Sequence, residues 1–209
     1  MKIDKLILGD FKTNCYVVSH NNTAFVIDPA CNGETIDAFL RKNNYQLKAI
    51  FLTHGHQDHI GAVDYLYNLY KCSIIAHKKE HDILTGSVPS KMLSIPSFKG
   101  IKVNSPVKYF DADFTSFNID GIIVDGILTP GHSEGSVTYV LRNYYRIFSG
   151  DTVFKGSVGR TDLPTSNKND LADSIDLYKN FKDECKIHPG HGESTTVAFE
   201  KENNSFFMY

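Results

Sequence analysis

The segment Thr53-His54-Gly55-His56-Gln57-Asp58-His59 sets four metal-competent side chains within six residues, directly after the apolar run Ala49-Ile50-Phe51-Leu52. Imidazole and carboxylate at that density are costly to bury without a cation, because polar groups crowd one small volume and each needs a partner. His54 and His56 lie two apart, so at the end of an extended segment they point the same way, whereas Asp58 and His59 fall in the first turn of a following helix. Two pairs can then face two separate cations. A polar loop whose histidines cap the helix and meet solvent is the competing reading; it accounts for one or two histidines but not for this cluster.

Three later segments have the form needed to supply more ligands: Thr129-Pro130-Gly131-His132, Ser149-Gly150-Asp151-Thr152 and His188-Pro189-Gly190-His191-Gly192. Each follows an apolar stretch and ends it in a glycine-containing turn, so one sheet edge gathers all of them. The candidates divide into His54, His56 and His132 on one cation and Asp58, His59 and His191 on the other, with Asp151 between them. Three ligands per ion plus a bridging carboxylate leave an open position, the pattern of a catalytic and not a structural site.

With these segments in order, the chain resembles a metallo-β-lactamase-fold hydrolase, and within that superfamily the small glyoxalase II-like group. The match runs almost end to end: Asp28-Pro29, the Thr-His-x-His-x-Asp-His block, Thr129-Pro130-Gly131-His132-Ser133-Glu134-Gly135-Ser136, Ser149-Gly150-Asp151-Thr152-Val153-Phe154, Gly156-Ser157-Val158-Gly159-Arg160-Thr161-Asp162 and His188-Pro189-Gly190-His191-Gly192. The resemblance implies an α/β fold, a four-layer αβ/βα sandwich of two mixed β-sheets with the ions at one end. It supports the ligand division above.

The implied activity is hydrolysis of a thioester by a hydroxide bridging two divalent ions. The ions lower the pKa of water from 15.7 to about 7, so no serine or cysteine nucleophile is required. Asp58 is expected to hold that hydroxide and Asp151 to bridge. Zinc, iron and manganese all suit histidine and carboxylate. Asp28 and Thr53 either orient ligand imidazoles or, for Asp28, simply form the Asp-Pro turn. Arg160 aligns with a basic residue that binds glutathione in glyoxalase II proteins, and can instead pair with Asp162. The expected partner is a small acyl-thiol, glutathione-derived or other. The alternative is an oxidoreductase, because persulfide dioxygenases of this fold hold one iron through positions matching His54, His132 and Asp151. A binding module without turnover fits poorly with open coordination positions.

Composition agrees. The chain has 209 residues, 41% hydrophobic and 22% charged, enough for a two-layer core in one domain spanning 1–209. A net charge of −2 with scattered Lys and Arg leaves no footprint for nucleic acid. No window approaches a membrane span and the N-terminus lacks a signal-peptide core, so a cytoplasmic protein is expected. Cys15, Cys31, Cys72 and Cys185 are far apart and read as reduced thiols.

Strands are expected near 2–8, 14–19, 23–28, 48–53, 73–76, 106–110, 114–119, 122–129, 136–142, 145–149 and 185–188, with helices over 33–43, 59–71, 78–84 and 169–182. In the second helix Ile60, Val63, Leu66, Tyr67 and Tyr70 form an apolar stripe, widened by Ala62 and Leu69. The stretch 85–103 reads as a surface loop near the site, either a lid or a simple connection. His20, His77, His81 and His188 are assigned surface or capping roles, and Glu134 a place in its loop.

Overall fold

The computed structural model describes residues 1–88 and 101–208. Strict alternation along the strands builds its layers, since successive side chains leave a strand on opposite faces. In β2 (Thr13–His20) Tyr16 and Val18 face one way and Cys15 and Val17 the other; β3 (Thr23–Ile27) sends Phe25 and Ile27 to the first side and Ala24 and Val26 to the second. These join β1 (Lys2–Leu8), β4 (Gln46–Phe51), β5 (Ser73–His77) and β6 (Val107–Phe110) in a six-stranded sheet ordered β1-β2-β3-β4-β5-β6. Its first three strands pair antiparallel and the rest parallel.

A second six-stranded sheet runs β14-β13-β10-β9-β8-β7, built from β7 (Phe114–Ile119), β8 (Ile122–Leu128), β9 (Val137–Leu141), β10 (Arg146–Gly150), β13 (Lys186–Pro189) and β14 (Thr195–Thr196). It too is mixed, because β10 and β13 are parallel while its other pairs are antiparallel. The inner faces meet around Phe51, whose ring centroid lies 5.3 Å from Phe25, 5.5 Å from Phe117 and 5.0 Å from Tyr139. Aromatics packed edge to face hold such a seam together, and truncating a fully buried one such as Phe51 costs roughly 3–5 kcal/mol.

Helices cover the outer faces. Ile36 and Leu40 of α1 (Gly33–Lys42), Val63 and Leu66 of α3 (Val63–Tyr70) and Leu84 of α4 (His81–Leu84) pack on the first sheet. Leu171, Ile175 and Tyr178 of α5 (Lys168–Lys179) pack on the second. The result is the four-layer sandwich of two mixed sheets. No helix among the described residues is long and apolar enough to cross a membrane.

Several expectations need correction. The helix expected over 59–71 is two, α2 (Gln57–Ile60) and α3, separated at Gly61 and Ala62. Ala30 intercepts the helical ladder: its N–H donates to His59 O at 2.9 Å, and its carbonyl accepts from Ala62 N at 3.0 Å. Gly61 permits that approach, since a Cβ there would lie 2.6 Å from Ala30 O. Leu69 is 46% exposed and does not join the stripe. His77 caps the turn after β5 as assigned, but it and His188 are both buried, His188 stacked on Phe148 with centroids 5.1 Å apart. The hairpin of β11 (Val153–Phe154) and β12 (Ser157–Val158), and α6 (Val197–Asn203), form where no element was expected. Of the 85–103 stretch only the ends are described, joined where Val103 N–H donates to Leu84 O; the lid expectation falls on residues outside the described ones.

Candidate metal centre

Strands β8, β10 and β13 run in the same direction, so the turns that follow them leave the second sheet on one side. These turns carry His132, Asp151 and His191, and β4 of the first sheet delivers His54 to His59 against them. All seven residues singled out from the sequence come together. Two groups of donor atoms lie mutually within 4.8 Å: His54, His56 and His132, and Asp58, His59 and His191. Asp28, His54 and His59 form a third, overlapping group.

Asp151 touches both principal groups. Its Oδ2 lies 3.6 Å from His132 Nε2 and 3.5 Å from His191 Nε2, and its Oδ1 lies 3.5 Å from His59 Nε2. Other donor spacings are 2.9 Å between His56 Nδ1 and His132 Nε2, 3.4 Å between His59 and His191 Nε2, and 3.2 Å between His191 Nε2 and Asp58 Oδ2. A tetrahedral ion with bonds of roughly 2.0–2.1 Å sets its ligands about 3.3 Å apart, so the spacing fits such an ion. Buried polar atoms lead to the same reading: His54 Nε2 and Asp151 Oδ1 have no hydrogen-bond partner among the described residues. Gly190 is required by the crowding, because a Cβ there would run into Asp151 Oδ1 and His59 Cε1.

Which ring nitrogen faces the centre is set from behind. His132 Nδ1–H donates to the Arg160 carbonyl at 3.0 Å and His191 Nδ1–H to the Phe11 carbonyl at 3.1 Å, acceptors that leave Nε2 as the free lone pair. His59 Nδ1–H donates to Asp28 Oδ2 at 2.9 Å. Thr53 Oγ1 also donates to Asp28 Oδ2, at 2.6 Å, and so accepts from His54 Nδ1 at 3.0 Å. Asp28 thus orients imidazoles and is more than a turn former. Thr13 Oγ1 donates to Asp58 Oδ2 at 2.9 Å.

The two groups differ in their electrostatic surroundings. Burial holds His54, His56 and His132 below the ordinary imidazole range, His56 at about 3, with neighbouring imidazoles adding to the effect on His54 and His56. Burial acts the same way on His59 and His191, but nearby carboxylates overcome it. Asp58, Asp151 and Asp28 raise His59 well above its ordinary value, and hydrogen bonds to Asp151 and Asp58 raise His191 to about 9. Burial pushes Asp58 and Asp151 up, yet the facing histidines bring both below the usual carboxylate range.

Arg160 stands apart from this cluster. Its guanidinium pairs with Asp162 through contacts of 2.6 and 2.7 Å on the exposed surface, the scaffolding arrangement, while its carbonyl orients His132. Two contributors were not anticipated. Thr13 lies far from every motif and reaches Asp58 only because β2 runs beside α2. Glu80, fully buried in the turn after β5, bonds Gly55, Ser133 and Gly135. Burial pushes its carboxyl above its ordinary value. The single sequence cue for Glu80 is the glycine in each of the two segments it bonds.

Comparison with known proteins agrees with this arrangement. The model of the metallo-beta-lactamase superfamily matches residues 8–191. A hydroxyacylglutathione hydrolase, GloC, of Haemophilus influenzae is 29% identical over 210 residues, covering 99% of this chain and 98% of its own. The crystal structure of the B3 metallo-beta-lactamase BLEG-1 superposes with a TM-score of 0.92 at 31% identity, covering all of both chains. The protein TTHA1623 in a di-iron-bound form superposes with a TM-score of 0.85 at 30% identity, covering 97% of this chain and 99% of its own. With a histidine-rich cluster at one end of two stacked mixed sheets and a family match over most of its length, this chain belongs to the metallo-beta-lactamase superfamily.

Proposed function

We propose that this chain is a dinuclear metal-dependent hydrolase of thioesters, with His54, His56 and His132 holding one divalent ion, Asp58, His59 and His191 the other, and Asp151 serving both. The observation that carries this reading is the contact of one carboxylate, Asp151, with histidines of both groups. Ions bound there supply Lewis acidity and lower the pKa of coordinated water to about 7. Zinc fits the donor set, as do iron and manganese, and the di-iron form of TTHA1623 favours keeping iron open.

The chain's own residues supply orientation and charge. Thr13 and His191 fix Asp58, so that its carboxylate stays ionised beside the reacting centre. Asp28 and the Arg160 and Phe11 carbonyls hold four rings in place, directly or through Thr53, which spares the site reorganisation during reaction. A thiolate leaving group, with a thiol pKa of about 8.5, departs without a general acid at neutral pH. The likeness to GloC favours a glutathione-derived acyl-thiol. Arg160 binds a substrate carboxylate by exchanging Asp162 for it, a bidentate geometry that guanidinium suits. The four free cysteines accord with a reducing, cytoplasmic setting.

A mononuclear-iron persulfide dioxygenase using His54, His132 and Asp151 is the second reading, favoured by the His132–Asp151 contact. Metal analysis of protein purified without added ions, joined to a panel of S-acylglutathione, lactone, β-lactam and persulfide substrates, separates the two. Two ions per chain and thioester turnover are expected. One iron with oxygen uptake on glutathione persulfide transfers the assignment to the second reading, and β-lactam turnover alone removes the thioester.

A further inference from the structure

Glu80 is a buried carboxylate that, among the described residues, meets no candidate ligand and has no cation among its hydrogen-bond partners. Gly55 N–H donates to its Oε2 at 2.6 Å, while Ser133 Oγ and Gly135 N–H donate to its Oε1 at 2.6 and 2.9 Å. Each oxygen therefore serves a different loop. Gly55 lies between His54 and His56 on the loop leaving the first sheet; Ser133 and Gly135 follow His132 on the loop leaving the second. Both main chains approach closely because the contacted residues are glycine: a Cβ at Gly55 would sit 3.0 Å from Oε2, and one at Gly135 would sit 2.9 Å from Oε1. A buried carboxylate carries a desolvation penalty of several kcal/mol. Apolar packing avoids it, so the three convergent donors single this group out.

We propose that Glu80 is a positioning residue that sets the separation between the His54-His56 loop and His132, and thereby the ion affinity of the three-histidine group alone. The proposal rests on the dinuclear reading above. Asp58, His59 and His191 are oriented by other groups, Thr13, Asp28 and the Phe11 carbonyl, none of which touches Glu80. Gly55 N–H and Gly135 N–H can only donate and meet different oxygens of Glu80, so only a carboxylate satisfies both together. In Glu80→Gln the amide nitrogen faces a donor whichever way it is turned, either Gly55 N–H or the Ser133 and Gly135 pair. One loop is then released.

The test is competition of metal-free protein with a chromophoric chelator for Zn²⁺, which resolves two binding steps; His56→Ala and His191→Ala identify which step belongs to which group. Glu80→Gln is expected to weaken the three-histidine step by ~10- to 100-fold, the range for losing an outer-shell partner, and to leave the other within about twofold. Glu200→Gln is the matched control. That carboxylate is equally buried and accepts from Gly156 N–H, Thr195 and Asn204, none of them in the two histidine loops, so both affinities should stay at the wild-type level. Both steps unchanged in Glu80→Gln, or both weakened equally, overturns the proposal and leaves the dinuclear reading standing. Wild-type protein that binds no Zn²⁺ overturns the dinuclear reading itself. Should Glu80→Gln fail to fold, Ser133→Ala removes one donor and carries the same test, with about threefold selective weakening expected.

Discussion

The three-histidine group and the Asp58-His59-His191 group use the same ring, a few ångströms apart, in opposite electrostatic surroundings. In the first, burial and neighbouring imidazoles keep His54, His56 and His132 below the ordinary range. In the second, Asp58 and Asp151 raise both His59 and His191 against the same burial, and Asp28 adds to the effect on His59. Imidazole chemistry is therefore assigned by what stands behind and beside each ring. The supports differ as well: Glu80 and the Arg160 carbonyl brace the first group, Thr13 and the Phe11 carbonyl the second, and Asp28 reaches both, touching His59 directly and His54 through Thr53.

Removing what the groups share should have the largest effect. Asp151→Ala is expected to lower thioester kcat/KM by on the order of 10²–10³ or more, because the contact common to both groups is lost; a wild-type rate would show that neither group depends on it. Asp28→Asn breaks the comparison unevenly. Asn tolerates the left-handed φ of 50° at this position, so the fold should persist. Zn²⁺ affinity should fall ~10- to 100-fold at the Asp58-His59-His191 step and by less at the three-histidine step. Equal losses would mean that Thr53 transmits as much as direct contact does.

His188 sharpens the comparison from outside the site. It precedes His191 by three residues, yet its ring stacks on Phe148, and burial with nearby Lys186 and Arg146 lowers its pKa to about 3. The unfolded chain takes up this proton below about pH 6.5 while the folded chain refuses it until about pH 3, so stability falls as pH drops through that interval. Between pH 7.5 and 5 this contributes a loss of about 2 kcal/mol. Chemical denaturation of His188→Phe should show a pH dependence smaller by that amount, and an unchanged dependence would show that His188 is protonated in the fold. The smallest effect is expected at the exposed Arg160: Arg160→Ala should raise KM about fivefold for carboxylate-bearing thioesters with kcat unaltered, as an exposed ion pair contributes about 1 kcal/mol. A constant KM would leave its guanidinium to Asp162 alone.

Much of this was legible before any coordinates. The donor cluster at 54–59 and the Gly-containing turns at 132, 151 and 191 are local patterns, and short apolar runs marked the strands that carry them. The break after α2 was not legible, because it comes from Ala30, nearly thirty residues upstream, capturing the His59 carbonyl. Glu80 was hidden for a related reason. In Lys78-Lys79-Glu80-His81-Asp82 it looks like one more charge at the start of the helix expected over 78–84, and only the approach of two glycines on loops from different sheets makes it a buried acceptor. His188 likewise reads as a polar residue before proline until Phe148 and Tyr16 enclose it.

By itself the sequence determined the donor inventory and the edge at which the donors gather, since both follow from local periodicity and turn chemistry, while the layering of the sandwich was implied by the resemblance to the metallo-β-lactamase fold. Only the tertiary structure decided which imidazoles stand among other imidazoles, which face carboxylates and which nitrogen each presents. Those properties depend on burial and on oxygens contributed by distant segments, such as Asp28, Phe11 and Arg160, whose proximity exists only once the two sheets have packed.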